Sequence, residues 1–372
     1  MNFRENVLAI LNYNSYQKMP VVSFGFWNET LYKWAQEGHI TFEEAESYKR
    51  YADNSDGDKK VMKRLGFDFN WNSCIGSNVL LSPGFNPEVI ERFEDGSQII
   101  RDSLGLICKE KPGTVSISAE IGTSLTDRQS WENLYLPKLQ MSTDRIPYDA
   151  LKSLPPTKTR DIPIGLHLGS LIGHMRNMLG VEHLSYLYAD DAELYREIVD
   201  TLCGLCFECA KGMLETGVKF DYAHYWEDIC FKNGPLVSPT VFRKYIGPWY
   251  RKISNLVNSY GIEIISVDCD GKIDSLIPTW LDNGVNTMFP IEVGTWNASI
   301  APWREKFGRR IRGVGGMNKT VFAKGKKDVD IEIERLKRLI DLGGYIPCPD
   351  HRIAPDSKFE LVQYYCEKMH NL

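Results

Sequence analysis

The stretch SVDCDGKIDSLI, residues 266 to 277, gathers groups that bind cations and move protons. An apolar run containing Ile262, Ile264, Ile265 and Val267 stops abruptly at Asp268, Cys269 and Asp270, and a glycine then precedes a helical pattern. Carboxylates and a thiol at the end of a buried strand are of the types that ligate a divalent metal. Similar endings recur along the chain. VKFDYAHYW leads to His224, Trp226, Glu227 and Asp228; VNTMFPIEV contains Glu292; RRIRGVGGM leads to Met317 and Asn318; GGYIPCPDH leads to Cys348, Asp350 and His351.

Each residue also has a purely structural reading. Asp270 before Gly271 suits a helix cap. Glu292 can pair with Arg312, Lys232 with Glu227 or Asp228, and Asp350 can hold turn backbone. A lone His351 is commonly structural. The joint pattern is harder to explain this way, because independent caps have no reason to collect at the ends of successive strands.

The elements that must position these residues follow one pattern from about residue 160. A short apolar run, a polar or glycine-bearing turn and an amphipathic helix alternate, with runs DIPIGLHL, VKFDYAHYW, IEIISVDCD, VNTMFPIEV, RRIRGVGGM and GGYIPCPDH. Leu276, Ile277, Trp280 and Leu281 have helical spacing closed by Gly284; Leu336, Leu339 and Ile340 have it closed by Gly343 and Gly344. Continuous apolar strands alternating with helices indicate a parallel sheet. The number of units predicts an α/β chain folded as a closed (β/α)8 TIM barrel, whose reactive residues sit at the C-terminal ends of the strands. MPVVSFGFW is expected to be the first barrel strand. DFNWNSCIGSNVLLSPGF, SQIIRDSLGLICKE and GTVSISAEIGTS predict a hairpin-rich N-terminal insertion at about 50–150, covering one end of a single domain spanning 1–372.

The 372 residues are 43% hydrophobic and 25% charged, enough for a sizeable core, and the net charge of −5 without a long basic run implies neither nucleic acid nor an anionic membrane as partner. No apolar stretch is long enough to span a membrane, and MNFRENVLAILNYN lacks the core of a signal peptide. Nine scattered cysteines fit a reducing, cytoplasmic location. A homodimer is compatible with this composition.

Cys203, Cys206 and Cys209 have the spacing CxxCxxC, but Leu194, Ile198 and Leu202 place them in an amphipathic helix as buried apolar residues. GVGG at 313–316 lacks the Lys-Ser/Thr pair of a phosphate loop and predicts a tight strand-to-loop turn near ligand. No GxGxxG follows an early strand. The aromatics of SFGFWNETLYKW suit either a pocket for a flat substrate or a core stripe. His167 and His174 are expected to be core or loop residues.

EDICFKNGPLVSPTVFRKYIGPWYRKI, SVDCDGKIDSLIPTWLDNGVNTMFPIEV, GVGGMNKTVFAKG and GGYIPCPDH, in this order, resemble the uroporphyrinogen decarboxylase superfamily, and within it the branch serving corrinoid-dependent methyl transfer. The resemblance covers most of the chain from about 160 onward. The decarboxylases carry an Arg-Gln-Ala-Gly-Arg signature for porphyrinogen carboxylates; here that region reads PVVSFGFWNETLYKW, without arginine. The zinc methyltransferases of the branch bind metal through His-x-Cys on one strand, Glu on the next and Cys near the last. His-x-Cys falls on Asp268 and Asp270, the Glu on Glu292, and the last ligand near Cys348 or His351.

The resemblance therefore implies zinc, with sulfur replaced by oxygen. Such a site is harder and prefers an ether or phenolate oxygen to a thiol. The expected activity is cleavage of a methyl ether, an aromatic one in view of the aromatic segment, with the methyl passing to cobalt(I) of a separate corrinoid protein. The chain itself lacks the Asp-x-His-x-x-Gly motif of a corrinoid carrier. The implied ligands are Asp270, Glu292 and His351, with Asp268 a fourth ligand or an orienting neighbour. Glu227 or His224 is expected to manage the proton of the product oxygen, and Phe24, Phe26, Trp27, Trp226 and Met317 to line the substrate. The alternatives are a methyl-corrinoid:thiol or folate methyltransferase, which Cys269 or Cys348 as ligands would favour, a decarboxylase of the same superfamily, and a non-catalytic binding protein.

Overall fold

The structure is a computed structural model that describes residues 1–111 and 118–372, without the side chains of 50 and 51. In the N-terminal part the strands are β1 (Val22–Ser23), β2 (Phe69–Asn70), β3 (Cys74–Gly76), β4 (Glu88–Arg92), β5 (Gln98–Arg101), β6 (Leu106–Glu110) and β7 (Ala119–Thr123). The apolar runs then supply β8 (Gly165–His167) and β9 (Tyr222–Trp226), with a small hairpin of β10 (Cys230–Phe231) and β11 (Gly234–Pro235). The remaining runs form β12 (Ile265–Asp268), β13 (Thr287–Ile291), β14 (Arg312–Met317) and β15 (Tyr345–Pro349).

These runs are parallel neighbours in a seven-stranded sheet of order β15-β14-β13-β12-β9-β8-β3. A further parallel pair, β1 with β2, stands at its edges. Beyond β15, Ile353 bridges Phe26, its N–H donating to the Gly25 carbonyl at 3.1 Å and its carbonyl accepting from the Trp27 N–H at 3.2 Å. Phe289 of β13 lies 4.5 Å from Phe24 and 6.2 Å from Trp71, ring centre to ring centre, so the sheet curls until residues near both edges meet. The chain is thus α/β with a mostly parallel sheet.

The helices between strands bury the faces that the periodicity marks. Ile277–Asp282 buries Ile277 and Trp280, and Lys326–Ile340 buries Leu336 and Leu339. The helix Ala192–Glu215 buries Cys203, Cys206 and Cys209; the thiols of Cys203 and Cys206 donate to the Leu171 and Ser170 carbonyls at 3.6 and 3.7 Å. They pack as small apolar residues whose weak donors are satisfied locally. Among the described residues no helix is long and apolar enough to cross a membrane.

Strands β4 to β7 form an antiparallel sheet in sequence order. It rests on the helix Gly173–Asp190, where the Thr123 hydroxyl donates to the Met178 carbonyl and the Glu120 carboxylate accepts from the Val181 N–H. The hairpin-rich insertion is therefore narrower than 50–150: β2 and β3 fall inside that range but pair with β1 and β8 of the parallel system. Of GTVSISAEIGTS, residues 113–117 lie outside the described residues, and β7 forms from the remainder.

GVGG is also corrected. It lies inside β14 rather than in a turn. A Cβ on Gly315 would stand 2.3 Å from the Ile291 amide nitrogen, and on Gly316 it would stand 2.7 Å from the Tyr345 hydroxyl, while φ is +125° and +74° at these residues. The glycines bring neighbouring backbone and side chains close to β14.

Candidate active site

Strand alternation decides which residues at the ends of β9, β12, β13 and β15 can share a space. Along β12, Ser266 and Asp268 share a face, and Asp270 continues it beyond the strand. Cys269 points the other way: its sulfur accepts from the Ile229 N–H at 3.5 Å and its thiol is pushed up by burial. Cys348 is wholly buried, which likewise pushes up its thiol.

His351 and Asp270 meet directly, with Nε2 3.1 Å from Oδ2. The indole of Trp27 stacks on the His351 ring at 5.5 Å and 22°, and Phe24 meets it edge-on at 5.3 Å. Glu292 is buried beside them, accepting from the Gly271 N–H at 2.5 Å and the Thr295 hydroxyl at 2.9 Å. Asp268 is buried one step below Asp270 on β12.

Electrostatics tie these groups together. Burial, then the Asp270 and Asp228 charges, push the Asp268 carboxyl well up; burial, then Asp270, push up Glu292. Burial also raises Asp228, against the pull of Arg176. Asp270 Oδ1 is buried without a hydrogen-bond partner. Crowded carboxylates with an orphaned oxygen fit a divalent cation, which relieves their repulsion and prefers oxygen and imidazole donors. Among the described residues no three His, Cys, Asp or Glu side chains already stand as a coordination shell. Asp270 and His351 are adjacent, whereas Glu292 is turned toward Gly271 and Thr295.

Other expected site residues separate. Glu227 is fully buried, and its carboxylate accepts from the backbone N–H groups of Leu171, Ile172 and Gly173, the Ser170 hydroxyl and the Tyr250 hydroxyl. It ties the end of β9 to the start of the helix Gly173–Asp190, which follows β8, and with five donors its carboxylate is saturated. Phe26 packs against Trp34, Tyr48 and Phe67 at 1% exposure, so it belongs to the core between sheet and outer helices. Met317 is likewise completely buried at the end of β14. Trp226 is partly exposed, with the Arg176 guanidinium 5.5 Å from its ring centre. His224 is buried, its Nδ1 2.6 Å from the Ser266 hydroxyl, and burial holds its pKa well below the usual imidazole value.

Several contributors escape sequence reading. Arg176, not Lys232, pairs with Asp228, at 3.0 Å. Arg352 forms a two-pronged ion pair with Asp53, at 3.0 and 2.6 Å, and its charge opposes the rise of Asp268. Lys319 is held down by burial while Asp350, Glu292 and Asp270 pull it upward. Asp350 accepts from the Val293, Gly294 and Lys319 N–H groups, linking three strand ends. Arg312 lies far from Glu292, donating to the Leu11 carbonyl. The only sequence signals for these residues are adjacency, Arg352 to His351 and Lys319 to Asn318.

A curled, mostly parallel sheet with charged residues at its C-terminal strand ends defines the class of α/β protein to which comparison applies. The family model described as uroporphyrinogen decarboxylase (URO-D) matches residues 87–372, and the chain belongs to that family. Among solved structures, a methyltransferase from Methanosarcina mazei is similar over 100% of this chain and 99% of its own, with TM-score 0.64 and 17% identity. A B12-independent methionine synthase from a Shewanella species, in complex with selenomethionine, has TM-score 0.49 and 11% identity over 95% of this chain and 98% of its own. No curated protein matches.

Proposed function

We propose that the chain is a zinc-dependent methyltransferase that takes the methyl group of a methyl ether, an aromatic one, and passes it to cobalt(I) of a separate corrinoid protein. The observation that carries this reading is the Asp270–His351 contact at 3.1 Å, with Glu292 and Asp268 beside it and the thiols of Cys269 and Cys348 held buried. The methyltransferase likeness of the Methanosarcina mazei structure agrees with it. As part of the same reading, β1 closes the parallel strands into an eight-stranded barrel whose C-terminal rim carries the site.

Asp270, His351 and Glu292 would hold the metal, with Asp268 as a further ligand or orienting group. When bound, zinc supplies Lewis-acid polarisation of the ether oxygen. The residues of the chain do the remaining work. Trp27 and Phe24 fix the His351 ring, and the aromatic lining excludes water from the methyl carbon. The carbon–oxygen bond breaks with its electron pair retained on oxygen, and the methyl carbon gains a bond to cobalt. His224, a neutral imidazole deep in the same space, is the group available to share a proton with the product oxygen.

The test combines elemental analysis of purified protein with incubation of methoxyarene and reduced corrinoid protein. Stoichiometric zinc and growth of a methyl-cobalt absorption spectrum support the reading. Metal-free protein with decarboxylase activity, or methyl transfer from the corrinoid to a thiol, would overturn it.

A further inference from the structure

A second cavity lies away from the strand ends. The helix Gly173–Asp190 loses helical geometry at Gly180, with φ +76° and ψ 164°, and the half beyond Gly180 forms one wall of a space of about 410 Å3. Residues 125–128 and the start of the helix Ala192–Glu215 form the others. No residue assigned above to the metal or the substrate borders it. The volume falls within the range of small-molecule sites, roughly 300–1,000 Å3.

The floor of this cavity is apolar, built from the buried side chains of Leu125, Leu179, Leu194 and Ile198. Its rim is acidic. Asp127, Glu182, Asp190 and Asp191 border it, against one guanidinium, Arg128, and one imidazole, His183. The Arg128 charge is already matched: its guanidinium lies 2.7 Å from Glu197, 3.7 Å from Glu132 and 4.0 Å from Asp191. Asp127 and Asp191 act as helix caps, accepting from the Ser130 and Leu194 N–H groups at 2.7 and 2.8 Å. Glu182 and Asp190 have neither an ion pair nor a hydrogen-bond partner among the described residues. With Tyr186 they recur every fourth residue along one helix face, so a phenol ring that is 60% exposed stands between two unmatched carboxylates.

We propose that this cavity binds a small organic ammonium ion, its apolar body on the leucine floor and its cationic head over Tyr186, between Glu182 and Asp190. The proposal goes beyond the ether-cleaving reading and stands or falls independently of it. A cation over a tyrosine ring is attracted by the ring's negative face, and the flanking carboxylates add to that attraction. A neutral apolar molecule gains only the floor, a bare inorganic cation gains only the rim, and an anion is repelled by it.

The test is isothermal titration calorimetry on the full chain at pH 8 and low salt. The probes are benzyltrimethylammonium, tetramethylammonium, benzyl alcohol and phenylacetate. Benzyltrimethylammonium should bind about tenfold or more tightly than tetramethylammonium, which lacks the apolar body, and than benzyl alcohol, which lacks the charge. Phenylacetate should not bind, and the affinity for the aromatic cation should fall as salt rises. The double variant Glu182→Gln/Asp190→Asn, and separately Tyr186→Ala, should each weaken benzyltrimethylammonium about tenfold and leave benzyl alcohol binding where it was, whereas Tyr186→Phe should retain the cation. These side chains are exposed, so melting temperatures should match the wild type. Equal affinity for the aromatic cation and the alcohol, affinity unmoved in the Glu182, Asp190 and Tyr186 variants, or no binding of benzyltrimethylammonium would overturn the proposal. Loss of that binding in Asp270→Asn would also overturn it, by placing the cation at the candidate active site.

Discussion

His351 Nε2 lies 3.1 Å from Asp270 Oδ2, joining the ends of β15 and β12 across 81 residues of sequence. If the pair forms half of a metal site, His351→Ala and Asp270→Asn should each abolish stoichiometric zinc and methyl transfer, while melting temperatures measured without metal stay close to wild type. Atomic absorption and differential scanning calorimetry on the same samples check this. Full zinc content in both variants would displace the ligand assignment.

Trp27 stacks on the His351 ring without a polar contact to it. Residues that orient a metal-binding histidine typically alter affinity by about 10–100-fold. Trp27→Ala should weaken zinc binding about tenfold in competition with a chromophoric chelator, and Trp27→Phe should retain most of it. Equal weakening in both variants would show that the stack does not hold the ring.

Glu227 meets donors from Ser170, Leu171, Ile172, Gly173 and Tyr250. Glu227→Gln would turn an NH2 group toward N–H donors, leaving buried groups unpaired. The expected loss is about 2–4 kcal/mol in urea unfolding, since removing partners from a buried network carries the full desolvation cost. Activity should fall in parallel with the folded fraction. A stable variant lacking activity would return Glu227 to the chemistry.

Asp58 provides a pH signature away from the candidate metal site. Burial raises its carboxyl to about 6 despite donors from Asn54 and Asn70. A carboxyl whose folded pKa exceeds its unfolded value contributes stability below the unfolded value, near 3.8, and loses it as pH rises through about 6. Asp58→Asn should therefore stabilise the protein by about 1–3 kcal/mol at pH 8, with the gain shrinking toward pH 4. A gain independent of pH would place its origin elsewhere.

The parallel strands were legible because each is a continuous apolar run ending in charge, and all six runs from 161 onward contain strands. The position of the charged residues along the chain was legible for the same reason: Asp268 ends β12, and Asp270, Glu292 and His351 lie within two residues of the ends of β12, β13 and β15. The core position of Phe26 was not legible because Gly25, at φ +89°, breaks the two-residue alternation and turns its ring toward Trp34. The surroundings of Glu227 were not legible because its partners include backbone amides about 55 residues away, which no side-chain motif marks. The adjacency of His167 and His224 carries no sequence signal, because strand register alone brings them together.

Gly315 leaves no room for a methyl group against the Ile291 amide, and Ile291 immediately precedes Glu292. An alanine at 315 would push the tip of β13 outward and carry Glu292 away from the Gly271 N–H. The identity of residue 315 is thereby coupled, through backbone alone, to the placement of an acidic side chain on the neighbouring strand.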